Sequence, residues 1–320
     1  MSQFYLAEHS RPHAPHLQHG EMQPVLLFGE ALADVFPDQT ILGGAPFNVA
    51  NHLQAFGHRP VLLTCLGNDA LGNEIFRFMT DSGMETLAVQ RTVHYPTGRV
   101  EVTLVGGDHR FVILPAQAYD YIDPEVAKTT TASLDAHVLY FGTLAQREES
   151  SRRALQSLCD KFSGVKFLDI NLRNPWYDEA IIYQSLMMAD ILKLNIDELA
   201  VLSKIFDVAG MNQESQLKEL ATRFSLVRII LTRGSEGAWL CDNEGGMFKT
   251  GPPPAITTFV DTVGAGDGFS AVCLLGELRH WPIELTLNRA NAFAGAICGC
   301  RGAIPDTLHL YEKLKIAWCI

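Results

Sequence analysis

The sequence lacks several features that would assign it to a particular class of protein. No apolar run approaches the ~20 residues that a membrane-spanning helix needs. A P-loop of the form GxxxxGK[ST] is absent, and the seven cysteines include no CxxC pair. These absences argue against a membrane protein, a P-loop nucleotide-binding protein and a redox or metal site built on a CxxC pair.

Positive charge is also scarce. The chain has 25 Lys and Arg against 36 Asp and Glu, and the net charge of −11 repels a polyanion. We therefore expect no nucleic-acid binding, and an anionic ligand would be held by backbone N–H groups, a few basic side chains or a metal ion. The odd number of cysteines and the absence of a signal peptide favour a cytoplasmic location.

The chain is long and apolar enough to fold around a sizeable core, with 320 residues of which 47% are hydrophobic. Residues 1–24 carry four of the eleven histidines and no sustained periodicity, which predicts a flexible extension. From Val25 onward, short apolar runs alternate with helical patterns, as is typical of βαβ units. We predict one α/β domain over 25–312, with a central, mostly parallel sheet, and a tail over 313–320. The predicted strands start at 25, 61, 138, 165, 190, 227 and 238, and the clearest predicted helices span 47–56, 72–82, 152–162, 181–189 and 214–224.

Polar residues and glycines follow several of the predicted strands. In an open parallel sheet the carboxyl ends of the strands lie along one edge, where ligands bind in the crevice. The positions concerned are Gly29–Glu30, Gly142, Asn171 with Arg173, Asn195 and 232–234. The sequence therefore predicts a ligand cleft at this edge.

Residues 99–114 interrupt the α/β pattern. Polar and apolar side chains alternate from Arg99 to Val105, a Gly-Gly-Asp turn follows, and an apolar run returns at 111–114. We predict a β-hairpin that projects as a small lid, formed by about 35–42 and 95–115. The apolar face of the hairpin needs a partner, either the body of the protein or a second copy of the lid. An edge hairpin of the main sheet is the alternative.

Residues 261–271 read DTVGAGDGFSA, with three glycines and an alanine around Asp267. A dinucleotide-binding fingerprint would need GxGxxG after the first strand, but here Phe269 takes the place of the third glycine, near the C-terminus. The pattern instead predicts the first turn of a buried helix, whose free backbone N–H groups can bind an anion. In that turn Asp267 is either a helix cap or a base beside bound phosphate, and the residues alone leave both open.

The segment DTVGAGDGF closely resembles the C-terminal signature DTxGAGDxF of the ribokinase-like (PfkB-type) carbohydrate kinases. The segments GGAPFNVA at 43–50 and LGNDALG at 66–72 resemble the N-terminal signature of the same family. The resemblance extends from Val25 to Pro305 and includes FLDINLR, KLNIDE, LTRGSEG and RANAFAGA, and the GGAPxN, DxNLR and FGTLAQR forms look most like fructokinases.

The resemblance implies a ribokinase-like three-layer α/β/α fold with a small β-sheet lid. It also implies an ATP-dependent sugar kinase, with the conversion of fructose to fructose 6-phosphate as the first expectation. Its partners would be the sugar and ATP. The alternating hairpin, rather than the resemblance, predicts a homodimer through the lids, and the net charge and the lack of long apolar runs predict that neither nucleic acid nor membrane is bound.

The catalytic residues implied by the resemblance lie mainly in the DTVGAGD segment. Asp267 is similar to the base that deprotonates the sugar hydroxyl. The amides of Gly264, Ala265 and Gly266 would form the anion hole for charge that develops during phosphoryl transfer. Arg173 would contact phosphate or sugar, although a surface charge is the alternative.

The implied sugar ligands lie mostly in the N-terminal part of the chain. Asp34 would accept hydrogen bonds from two sugar hydroxyls at once. The full set is Asp34, Gly43, Gly44, Asn48 and Asn171, with Arg99 on the hairpin available to a substrate that carries a carboxylate. A plain turn is the alternative for the two glycines.

The nucleotide would contact residues further along the chain. These are Asn195, Thr232, Gly234, Gly237 and Asn291. Asn195 and Glu198 match the NxxE element that orients the water shell of Mg²⁺ on the triphosphate, and a simple helix cap is the alternative for both. The resemblance leaves a monovalent cation such as K⁺ near Asp261 open.

Two departures from the family pattern are present, of which the first bears on substrate identity and the second loosens the helix start slightly. Phe47 replaces a small residue of the GGAPAN form, and Gly268 replaces the alanine that usually follows the base. The substrate alternatives are 2-keto-3-deoxygluconate, ribose and a nucleoside. A non-catalytic sugar-sensing protein is the alternative from another class, and the intact Asp267 with its glycines argues against it.

Overall fold

The computed structural model of the chain describes residues 23–105, 108–208, 210–256 and 258–320. The predicted N-terminal extension lies outside the described residues, except for its last two positions, and so does the Gly-Gly part of the predicted hairpin turn. No helix in the described ranges is long and apolar enough to cross a membrane.

The described residues contain thirteen β-strands and ten α-helices. In chain order the strands are β1 (Pro24–Phe28), β2 (Leu32–Val35), β3 (Thr40–Gly43), β4 (Arg59–Gly67), β5 (Val89–Thr92), β6 (Gly98–Val105), β7 (Asp108–Ile113), β8 (Val138–Phe141), β9 (Val165–Asp169), β10 (Ile191–Asn195), β11 (Arg228–Thr232), β12 (Ala238–Asp242) and β13 (Met247–Lys249). The helices are α1 (Ala45–Ala55), α2 (Ala70–Asp81), α3 (Pro124–Thr131), α4 (Glu149–Cys159), α5 (Glu179–Met188), α6 (Ile196–Ile205), α7 (Gln213–Phe224), α8 (Ala265–Leu278), α9 (Ile283–Ile297) and α10 (His309–Trp318).

Nine strands form the central sheet, in the order β13-β12-β11-β10-β9-β8-β1-β4-β5. The pairs from β11 to β5 are parallel, whereas β12 and β13 are added antiparallel at one edge. All seven strands predicted from apolar runs lie in this sheet. The sequence did not predict β5 and β13, because both are short and only partly buried.

Helices cover both faces of the central sheet. Because successive side chains of a strand point to opposite faces, Leu26 and Phe28 lie in one core, whereas Val25 and Leu27 lie in the other. Residues of α3 to α7 line the first core, and residues of α1, α2 and α8 to α10 line the second. The expected three-layer α/β/α arrangement is therefore confirmed.

A second sheet of four strands has the order β3-β2-β6-β7. The predicted hairpin is present as the antiparallel pair β6–β7. Its return strand, β7, starts at Asp108 rather than at 111. The strand β2 pairs with β6 in parallel and with β3 in antiparallel orientation, so the hairpin does not lie at the edge of the main sheet. The first part of the lid is therefore 32–43 rather than 35–42.

The C-terminal segment is helical, which differs from the tail predicted over 313–320. The helix α10 continues to Trp318, whose ring stacks on Phe56 at a centroid distance of 5.5 Å. Tyr311 in the same helix is buried. Tyr311 also packs against Phe293 of α9, and these tertiary contacts were not visible as a local pattern.

The hydrogen bond between His52 and Tyr311 ties α10 to α1. His52 Nδ1 lies 2.8 Å from Tyr311 Oη, and both residues are buried. Burial lowers the pKa of His52 to about 3, so its ring is neutral.

We expect Tyr311→Phe to lower the free energy of unfolding by about 1–3 kcal/mol, because a buried ring nitrogen loses its partner. Urea denaturation measures the loss, and Tyr183→Phe on the exposed side of α5 is the control. Equal stability of the two variants would contradict a stabilising role of this hydrogen bond.

Candidate active site

The start of α8 and the middle of α1 meet at the carboxyl edge of the central sheet. Gly264, which precedes α8, has φ of 75°, and a Cβ at this position would lie 2.3 Å from the Cα of Ala303. Only glycine fits such a turn. Asp267 follows in the first turn of α8, and Asn48 Nδ2 of α1 donates a hydrogen bond of 2.7 Å to Asp267 Oδ2. The two sequence signatures, more than two hundred residues apart, therefore meet at one hydrogen bond.

The surroundings of Asp267 adjust its acidity. Burial raises the pKa of Asp267 to about 6, while the Asn48 hydrogen bond lowers it, the Asp169 charge raises it, and the Lys193 and Arg173 charges lower it. A carboxyl group with this pKa is mostly ionised at neutral pH. It also retains enough basicity to accept a proton from a hydroxyl group.

Arg173 lies on the loop after β9, where its charge acts on three carboxyl groups. Burial raises the pKa of Glu30 to about 7 and that of Asp34 to about 6, and Arg173 opposes the shift in both. It acts in the same direction on Asp267. In the sequence, Glu30 is recognisable only as a polar residue at a strand end. Its burial and the proximity of Asp267 make it part of the cleft.

The glycines before α1 allow the lid to approach the cleft. Gly44 has φ of 105°, and a Cβ on it would lie 2.6 Å from the carbonyl oxygen of Glu30. A Cβ on Gly43 would lie 3.8 Å from Asp34 Oδ2. Four of the predicted sugar ligands, Asp34, Gly43, Gly44 and Asn48, are thus brought together.

Arg99 does not join them. In the register of the lid, Arg99 pairs with Ala33, whereas Asp34 pairs with Val100. Since neighbouring side chains of a strand alternate between faces, Arg99 lies on the face opposite to Asp34. Burial raises the pKa of Asp69 at the start of α2, whereas hydrogen bonds from Thr97 and Gly72 and the charge of Arg99 lower it, with a net shift downward. The structure therefore does not support a role for Arg99 in the pocket.

Asn171, another predicted sugar ligand, lies just after β9 on the loop that carries Arg173. Its φ of 41° places it in the left-handed region, which residues other than glycine seldom adopt. The loop therefore turns sharply between the end of β9 and the position of Arg173.

Asn195 and Glu198 form a capping box at the start of α6. Asn195 Oδ1 accepts from the Glu198 amide at 2.9 Å, and Glu198 Oε2 accepts from the Asn195 amide at 2.8 Å. Glu198 Oε1 also accepts from the Leu172 amide at 2.9 Å. Both carboxylate oxygens thus already have partners, as the helix-cap alternative predicted. Within the described ranges, no group of three or more His, Cys, Asp or Glu side chains could hold a metal ion.

Two of the predicted nucleotide-binding residues, Gly237 and Asn291, meet at Gly251. A Cβ on Gly237 would lie 2.2 Å from the Gly251 carbonyl oxygen, and Asn291 Nδ2 donates to the same oxygen at 3.0 Å. Gly234 starts the turn before Gly237 with φ of 57°. Thr232 ends β11, and its hydroxyl donates to the Leu194 carbonyl oxygen at 3.3 Å.

The turn before α8 differs in one detail from the predicted anion hole. The Ala265 amide already donates to the Thr262 carbonyl oxygen at 3.2 Å. Gly264 and Gly266 flank it at the helix start, where amides have no partner within the helix. Asp261, at the other end of this turn, accepts from the Val263 amide at 2.8 Å.

A buried polar cluster behind this turn was not predicted. Lys193 Nζ lies 2.8 Å from Asp169 Oδ2, and the same oxygen accepts from Ser270 Oγ at 2.7 Å and from Tyr140 Oη at 3.2 Å. A lysine inside the apolar strand ILKLN was the signal that could have revealed it, since a buried charge requires a partner.

A family model described as pfkB family carbohydrate kinase matches residues 24–309. The chain belongs to this family. This carbohydrate kinase is 26% identical over 309 residues to a probable fructokinase-5 of Arabidopsis thaliana, covering 88% of this chain and 93% of that one. It is 24% identical to a 2-dehydro-3-deoxygluconokinase of Haemophilus influenzae, covering 85% and 92%. A solved fructokinase from Xylella fastidiosa with bound ATP superposes with a TM-score of 0.77 at 21% identity, covering 93% and 99%.

These similarities confirm the family and the ribokinase-like fold that the two signatures implied. They also confirm the class of enzyme, because the family consists of phosphotransferases that act on an alcohol group.

The raised pKa values in the cleft predict how stability depends on pH. The pKa values of Glu30, Asp34 and Asp267 lie at about 6 to 7 in the folded chain and near 4 in the unfolded chain. Between these limits the folded state binds more protons, so we expect the free energy of unfolding to fall as pH rises from about 4 to 7. Glu30→Gln should flatten this dependence, measured by urea denaturation, and Glu149→Gln on the exposed surface is the control. An unchanged profile in Glu30→Gln would contradict the burial of this charge.

Proposed function

We propose that the protein is an ATP-dependent sugar kinase that transfers the γ-phosphoryl group of MgATP to fructose, giving fructose 6-phosphate. The observation that carries this proposal is the Asp267 carboxyl group, fixed by Asn48 at 2.7 Å in the glycine-lined first turn of α8. The fructokinase relatives support fructose as the acceptor, and the neighbour described with bound ATP supports ATP as the donor.

In the proposed reaction Asp267 is the base. Asn48 occupies its Oδ2, so Oδ1 is the oxygen that accepts the proton of the sugar hydroxyl. As the O–H bond breaks, the sugar oxygen forms a bond to the γ-phosphorus, and the bond between this phosphorus and the β–γ bridging oxygen breaks to release ADP. The proton remains on the Asp267 carboxyl group until solvent removes it.

The sugar and the nucleotide would approach from opposite ends of the cleft. Asp34 would accept hydrogen bonds from sugar hydroxyls, and Arg173 would face the negative charge between the two substrates. The turn at 232–237 and the Gly251 loop, which Asn291 supports, would hold the triphosphate side.

Mg²⁺ would arrive on the triphosphate and neutralise part of its charge. Glu198 and Asn195 are already bonded in their capping box, so they suit contact with the water shell of the ion rather than with the ion itself. The lid would cover the sugar and exclude water that could otherwise accept the phosphoryl group.

We expect Asp267→Asn to lower kcat by at least about a thousandfold, because an amide cannot accept the proton. A coupled assay for ADP release with fructose measures the loss, and calorimetric titration with ATP should still show binding. Asp160→Asn, an exposed site at the end of α4, is the matched control and should keep its activity. Near-normal turnover of Asp267→Asn would rule out this residue as the base.

The identity of the acceptor is tested with a panel of sugars in the same assay. The panel contains fructose, 2-keto-3-deoxygluconate, ribose and a nucleoside, and fructose should give the highest kcat/KM. If none of these compounds is phosphorylated, a sugar-sensing protein is favoured.

We also propose a cytoplasmic location, since all seven cysteines are free thiols. The assay therefore contains reductant. It contains K⁺ as well, because the sequence left a monovalent cation near Asp261 open.

We propose that two copies of the kinase associate through their lids. The outer strand β7 lies at the edge of the second sheet, and its Val112 is 39% exposed. An exposed apolar strand at a sheet edge favours pairing with another strand or sheet. A second lid would bury this surface and hold each lid over its own sugar pocket.

Light scattering is expected to give twice the monomer mass at micromolar concentration. Val112→Asp should yield a monomer and raise the KM for the sugar, because a charge in the lid contact would be buried. Val126→Asp on the exposed side of α3 is the matched control and should leave the dimer intact. A wild-type monomer at these concentrations would refute the lid contact.

A further inference from the structure

A buried ion pair joins β9 and β10 behind the Gly264–Gly266 turn, which is the predicted anion hole. Lys193 of β10 pairs in register with Asp169 of β9, and its Nζ lies 3.0 Å and 2.8 Å from the two carboxylate oxygens. The two residues are 7% and 2% exposed. Burial lowers the pKa of Lys193 but the Asp169 charge raises it, and the net shift is upward, so the ammonium stays protonated.

The cluster is attached to the helix that carries Asp267. Ser270, three residues after Asp267 in α8, donates to Asp169 Oδ2 at 2.7 Å. Tyr140 of β8 donates to the same oxygen at 3.2 Å. The Asp169 carboxylate therefore accepts hydrogen bonds from side chains of α8, β8 and β10. Its contact with Lys193 fixes the position of the ammonium group.

The ammonium lies directly behind the turn. A Cβ built on Gly266 would lie 3.3 Å from Lys193 Nζ, whereas Gly266 itself is exposed to the cleft. No side chain at this position separates the positive charge from a ligand on the other side of the turn. An alanine at 266 would press its methyl group against the ammonium.

The same two strands carry a second ion pair at their opposite ends. Lys166 of β9 lies 3.2 Å from Asp190, which directly precedes β10, and these side chains are 21% and 34% exposed. A buried pair such as Lys193–Asp169 seldom adds net stability, since removing two charges from water offsets their attraction. Its position beside the turn therefore suggests a use other than folding.

We propose that Lys193, held by Asp169, is a positioning residue for phosphoryl transfer. Through the Gly264–Gly266 turn, its fixed positive charge would favour the negatively charged phosphoryl group, and it would keep Asp267 ionised. The first effect rests on the function proposed above, whereas the second is a property of the protein without substrate.

Several other groups also face Asp267 and contribute to its ionisation. They are Asn48 of α1, Glu30 after β1, Tyr140 of β8 and Arg173 on the loop after β9, in addition to Asp169 and Lys193. Removing Asp169 should lower the pKa of Asp267, and removing Lys193 should raise it. A change in overall stability would not produce two opposite shifts.

The pKa of Asp267 is measured directly by an NMR titration of protein labelled with ¹³C at the aspartate carboxyl groups, without substrate. The signal of Asp267 is identified by its absence in Asp267→Asn. The key comparison is Asp169→Asn against the double variant Asp169→Asn/Lys193→Met, because these differ only in the ammonium. We expect the pKa of Asp267 to be lower than wild type in the single variant and to rise again in the double variant.

Lys166→Met is the matched control, since it removes a lysine from the same pair of strands at the other edge of the sheet. It should leave the pKa of Asp267 unchanged. If the double variant does not fold, Asp169→Asn/Lys193→Gln replaces it, because glutamine can still donate to the neighbouring oxygens. Equal pKa values of Asp267 in the single and double variants would overturn the proposal.

The kinetic measurement uses the best sugar of the panel. Lys193→Met should lower kcat by about a hundredfold, as removal of one donor to a transition-state charge does elsewhere, with the KM of the sugar nearly unchanged. Lys193→Arg should retain more of the activity because it keeps the charge, and wild-type kcat in Lys193→Met would refute the role in transfer. The titration needs no turnover, so the two proposals can fail separately. If the pKa values of Asp267 shift as expected but the protein phosphorylates no sugar, the proposed function is contradicted, whereas the effect of Lys193 on the ionisation of Asp267 stands.

Discussion

The structure of the cleft depends on the close approach of the starts of α1 and α8. Glycines precede both helices, so no side chains separate them from neighbouring backbone. Gly44 before α1 and Gly264 before α8 both have positive φ, and a Cβ on either would lie within 2.6 Å of backbone atoms of another segment. At the start of α8 the Gly264 and Gly266 amides have no partner within the helix, and the helix dipole adds positive potential there. The hydrogen bond between Asn48 and Asp267 joins the two helices at this point.

This arrangement places carboxyl groups where burial works against their ionisation. Glu30, Asp34 and Asp267 all have raised pKa values, and burial is the largest cause for each. Two neighbouring cations oppose that shift at Asp267. The protein thus keeps charges in its cleft that destabilise the empty fold, and this is common where groups must be basic enough to take up a proton.

Much of the fold and part of the cleft could be predicted from local patterns. Apolar runs indicated seven strands of the central sheet, and the glycines around Asp267 indicated a helix start because both effects act within a few residues. Strand register and side-chain direction are not local, so the sequence could not show that Arg99 lies on the opposite face to Asp34. The capping box of Asn195 and Glu198 was readable only as one of two alternatives, because the same spacing suits a helix cap and a metal-facing pair.

The net charge of −11 does not prevent such a cleft from holding a triphosphate, because attraction at short range depends on local charges. Arg173 is exposed, so solvent and salt screen its charge, and it faces several carboxyl groups rather than one. Lys193 is buried, so its field is screened far less, and it is directed by Asp169 at a single turn. An exposed, screened cation suits the capture of a ligand, whereas a buried and less screened one suits a charge that develops at one place. The two basic residues therefore differ in what they can do for the same anion, and the difference follows from their burial alone.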